Sequence, residues 1–121
     1  MSAREEPVRL DPERLQSLFD ELGERGAEEV VCRAMEEIAV RLSVAERLHD
    51  DGRYPEMRRS VRSLVGIADQ IGLRAVSRIA GDVTASIDAG DVIALSATLS
   101  RLLRVSERSL TAIWDIQDMR I

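Results

Sequence analysis

From Ala27 to about Leu48 the apolar residues Val31, Ala34, Met35, Ile38, Leu42, Ala45 and Leu48 recur at intervals of three and four. A helix turns 100° per residue, so this spacing lays them along one side as a sustained stripe. A strand would need strict alternation, and no stretch of the chain alternates. A helix carrying such a stripe has to bury it against other helices. The rest of the chain must therefore supply partners of the same kind.

It does so in order. Asp11-Pro12-Glu13 is a helix start: an Asp side chain accepts from an orphan N–H, Pro needs no donor at the first helical position, and Glu suits the positive end. Leu15, Leu18, Phe19 and Leu22 then predict a short amphipathic helix ended by Gly23. The long helix should stop in His49–Pro55, where Gly52 and Pro55 punctuate the chain and Pro55 opens the next helix. Met57, Val61, Leu64, Ala68 and Ile71 line one face of that helix, and Gly72 ends it. Val76, Ile79, Ala80, Val83 and Ile87 mark another, stopped by Gly90. Asp91 caps the last, which carries Leu95, Leu99, Leu102, Leu103, Leu110 and Ile113 and runs to about Asp118.

The expected fold is all-α: an antiparallel up-down four-helix bundle with an additional short N-terminal helix. At 121 residues the chain has room for one such domain, placed at 11–118, after a polar tail over 1–10. Aromatic residues are only Phe19, Tyr54 and Trp114, so the core must be aliphatic. Trp114 is expected to pack against the bundle.

Charge and cysteine usage narrow the function classes. The net charge is -5 and the isoelectric point about 4.9, the opposite of a nucleic-acid footprint. Cys32 is the single cysteine, so no intrachain disulfide or paired-cysteine zinc site is expected. Asp50 and Asp51 after His49 are consecutive turn residues, a weak ligand set, and no metal or other cofactor is expected. With no apolar run for a signal peptide or a spanning helix, the expected location is cytoplasmic.

Gly66 poses the sharpest question. It stands in mid-helix, where glycine costs about 1 kcal/mol against alanine. With Val61 at the core, Leu64, Ala68 and Ile71 fall on the buried side; Arg62, Gly66 and Asp69 fall opposite, with Arg58 and Arg59 one turn earlier and Val65 at the boundary. A glycine beside Arg62 removes bulk and lets a partner approach the helix closely. Arg58, Arg59, Arg62, Arg74 and Arg78 also gather basic charge in an acidic protein, which points to an acidic partner or to pairing with the chain's own Asp and Glu.

The run Arg62, Ser63, Leu64, Val65, Gly66, followed by Ile71, Gly72, Leu73, resembles the signature helix of the histidine-containing phosphotransfer (HPt) domains of bacterial phosphorelays. The opening LDPERL, the HDDGRYPEMRRSVRSL passage and the AGD turn look like HPt counterparts in order and spacing, so the resemblance covers about Leu10 to Trp114. It implies a four-helix bundle that exchanges a phosphoryl group with receiver domains. Two residues depart. Arg62 stands where the family has its phosphoacceptor histidine, and Val65 where it has a lysine. A guanidinium is always protonated and offers no lone pair, so it cannot serve as the nucleophile.

The resemblance thus implies a pseudo-phosphotransfer module, not an enzyme, that binds a response-regulator receiver domain or a histidine kinase without carrying phosphate. The expected partner-binding residues are Arg58, Arg62, Val65, Gly66 and Asp69; catalytic residues, none. Two alternatives stand beside it. One is an active phosphotransfer protein using another acceptor such as His49, which otherwise reads as an exposed histidine at a helix C-terminus. The other is a plain helical oligomerisation module.

Overall fold

The capping residues act as their chemistry predicts in the computed structural model, which describes residues 10–119 and side chains as far as Asp115. Asp11 is the N-cap of α1 (Pro12–Asp50), its carboxylate accepting from the N–H groups of Glu13 and Arg14 at 3.1 and 3.2 Å. Helices α2 (Tyr54–Gln70), α3 (Arg74–Asp88) and α4 (Val92–Met119) follow. Pro55 lies in the first turn of α2, and Asp91 accepts from the N–H of Ala94 at 2.9 Å. Among the described residues there are four helices and no strand; Leu10 and Leu73 form one isolated bridge.

Two boundaries differ from the expectation. The short N-terminal helix and the first long helix run together as one element, with Gly23 at φ 74°, ψ 173° as a kink between them. Glycine adopts that left-handed backbone without a Cβ clash, so the chain changes direction within one residue and helix resumes at once. Leu10, assigned to the tail, belongs to the fold. It bridges Leu73 while the N–H of Asp11 donates to the carbonyl of Gly72 at 2.8 Å. Residues 1–9 of the expected tail lie outside the described residues.

Helices adjacent in sequence pack on one another, and α1 meets α4 much more sparsely. The stripes converge on an aliphatic core in which Ile38, Met57, Val61, Leu64, Ile79 and Leu102 are fully buried. Leu48, Ile87, Leu103 and Leu110 are half-buried at its margin. Trp114, expected to pack against the bundle, is 51% exposed. A quarter turn from the buried Ile113, it sits beside the core instead of in it. No helix among the described residues is long and apolar enough to cross a membrane.

Candidate functional site

The outward face of α2 forms because its inward face is so strongly specified. Met57, Val61, Leu64 and Ala68 are buried, which turns Arg62, Gly66 and Asp69 to solvent and leaves Arg58 and Val65 half-buried at the edge. All five residues singled out from the sequence therefore border one face of this helix. A Cβ placed on Gly66 would meet nothing within 4 Å, and its φ is not in the left-handed region. Neither backbone geometry nor a neighbouring helix demands glycine there.

The edge facing α3 is charged. Arg58 forms a two-point pair with Asp88 near the end of α3, Nε to Oδ1 at 2.7 Å and Nη2 to Oδ2 at 3.0 Å. This fork holds the Asp88 carboxyl below its usual 3.8, with the charges of Arg58 and Arg62 adding to the effect. Arg62 is exposed, makes no ion pair among the described residues, and lies within electrostatic reach of Asp88. Of the five expected binding residues, Arg58 is thus the one whose charge is already answered inside the protein.

At the other end of α2 the chain turns through Gly72, at φ 78°, into α3. Arg74 at the start of α3 reaches back to Asp11, with Nε and Nη2 at 3.0 and 2.7 Å from Oδ2, and Arg14 Nε donates to the carbonyl of Gln70 at 2.9 Å. Asp69, Arg74, Ser77 and Arg78 line an open depression of about 660 Å³ beside this junction. Arg78 is exposed and, like Arg62, has no ion pair among the described residues. The helix wheel of α2 alone did not find this continuation of the face onto α3; the charge signal in Arg74 and Arg78 did.

His49 lies elsewhere, at the C-terminus of α1 beside α4. It is not the exposed residue expected, being 23% exposed. Nε2 is 3.4 Å from Ser96 Oγ, Nδ1 is 3.6 Å from Asp50 Oδ1, and the ring lies 6.3 Å from that of Tyr54. The ring is thus largely covered, with the Ser96 hydroxyl in hydrogen-bonding range of Nε2. Cys32 is a half-buried free thiol. Among the described residues no three of His, Cys, Asp and Glu gather as a metal site.

The outward face of α2 holds a fixed positive charge at Arg62, a half-buried apolar side chain at Val65 and bare helix backbone at Gly66, and no side chain on it supplies an unprotonated nitrogen. Compared with models of protein families, with curated proteins and with solved structures, the chain matches none.

Proposed function

We propose that this chain is an HPt-like module, an antiparallel up-down bundle in which the N-terminal arm of α1 counts as the additional short helix, acting in cytoplasmic two-component signalling. It binds a response-regulator receiver domain or a histidine kinase and does not carry phosphate itself. The observation that carries the reading is Arg62: exposed, without an internal ion pair, and one turn from the open backbone of Gly66. In this reading Arg62 points at the acidic pocket of a receiver, Val65 adds apolar contact and Gly66 leaves room for the receiver's loops. The module then competes with a true phosphotransfer protein for the same partner.

A pull-down of receiver proteins with wild type and Arg62→Glu side by side tests it. Wild type should retain a receiver and the charge-reversed variant should lose it by tenfold or more; equal recovery removes Arg62 from the mechanism. Incubating the protein with a phosphorylated receiver and labelled phosphate separates the reading from an active phosphotransfer protein. No label should remain on this chain, and stable acid-labile label, lost in His49→Ala, would establish the alternative.

A further inference from the structure

The arginines that the sequence gathers on α2 and the start of α3 divide into two kinds in the fold. Arg58 and Arg74 are committed internally, each in a two-point pair with a carboxylate, Asp88 and Asp11 respectively. Arg59, Arg62 and Arg78 are exposed and have no ion pair among the described residues. Of these, Arg62 and Arg78 stand on two helices, α2 and α3, that pack on one another. Arg58 of α2 reaches Asp88 near one end of α3 at 2.7 Å, and the two helices pack along one another. Asp69 and Arg78 line the same depression. The outward stripe of α2 therefore runs alongside α3.

Gly81 extends the resemblance between the two helices. It lies one turn beyond Arg78, is exposed, and a Cβ there would meet nothing within 4 Å, the same condition as Gly66 one turn beyond Arg62. Neither glycine has the positive φ that would require it. Each helix thus presents an exposed guanidinium with a glycine of open Cβ space one turn on, at a cost in helix propensity.

We infer that Arg78 and Gly81 of α3 join Arg62 and Gly66 of α2 in a single two-helix docking surface for a protein partner presenting a carboxylate-rich face. In a protein of net charge -5, a patch where two exposed guanidiniums have no carboxylate partner favours a carboxylate-rich face by charge complementarity. Bare backbone lets the partner come close, and shorter separations strengthen each charge contact. One arginine anchors a partner at a point; two on adjacent helices also fix its direction. The α2 half of this surface rests on the function proposed above, and the α3 half does not.

The test follows amide signals of the isotopically labelled protein by NMR during two titrations. One uses a receiver domain retained in the pull-down and the other a helical peptide of alanine and glutamate. In both, residues 77–85 should shift together with 62–69. Arg78→Glu should weaken receiver binding tenfold or more, as Arg62→Glu does, while Arg104→Glu, an exposed arginine on α4, leaves it unchanged. Gly81→Leu, which has open space around it, should fold normally and bind as poorly. Shifts confined to α2, with Arg78→Glu and Gly81→Leu binding like wild type, overturn the inference and leave the receiver reading intact. If no receiver binds but the peptide shifts both helices, the receiver reading fails and the surface stands. Peptide shifts spread equally around Arg33, Arg47 and Arg104 overturn the surface itself.

Discussion

Two glycines of similar sequence context have opposite physical standing. Gly72 is buried at φ 78°, and a Cβ there would come within 3.0 Å of the Asp11 carbonyl oxygen, a backbone atom with no freedom to yield. Gly66 is exposed, has no positive φ, and faces open space. Substituting alanine should therefore separate them by sign. Gly66→Ala is expected to stabilise the protein by about 1 kcal/mol through helix propensity. Gly72→Ala is expected to destabilise it by more than about 1 kcal/mol through strain. Chemical denaturation of the two variants measures both. From sequence, both positions are glycines at or within the same helix; their difference lies in φ and in what approaches from the N-terminal arm.

At the scale of an element, the N-terminal arm of α1 is held to the α2–α3 turn by contacts that converge on Asp11. Its carboxylate accepts from Arg74 and caps α1, while its N–H donates to Gly72. The Arg74 hydrogen bond, aided by the backbone N–H of Arg14, holds this carboxyl below its usual 3.8. A carboxyl lowered in the folded state binds fewer protons there than in the unfolded chain. Its contribution is therefore present above about pH 4 and is lost as pH falls through the lowered value. Asp88, held down by Arg58, works in the same direction. Thermal unfolding should show stability falling as pH drops below 4, with a shallower fall in Asp11→Asn, which starts from a lower melting temperature at neutral pH. The helix start at Asp11 was legible from Asp-Pro-Glu, because capping is local chemistry. The partner Arg74 was not, because 63 positions of chain separate it from Asp11.

Over the whole molecule, apolar residues fall into two classes that composition does not distinguish. Leu64 is fully buried in the core, whereas Ile93 is 82% exposed on the first turn of α4. Leu64→Ala should cost about 3 kcal/mol from lost burial and the cavity left behind. Ile93→Ala should change stability by no more than about 0.5 kcal/mol. Denaturant midpoints of the pair check the assignment of the core. The same scale sets the electrostatics of the candidate face: partner binding should weaken steadily as salt rises, since its cations are exposed and screened within about 10 Å at 0.1 M. Affinity measured across a salt series tests that.

Helix identity, the buried stripe of α2 and the outward placement of Arg62, Gly66 and Asp69 follow from the sequence by itself, since a period of 3.6 ties each residue's direction to its neighbours along one helix. The tertiary structure alone decided which arginines are answered, that Asp69 of α2 and Arg78 of α3 line one depression, that Trp114 stays half out of the core and that His49 turns toward Ser96. Those outcomes depend on distances between helices, and a repeat within one helix carries no information about what stands across from it.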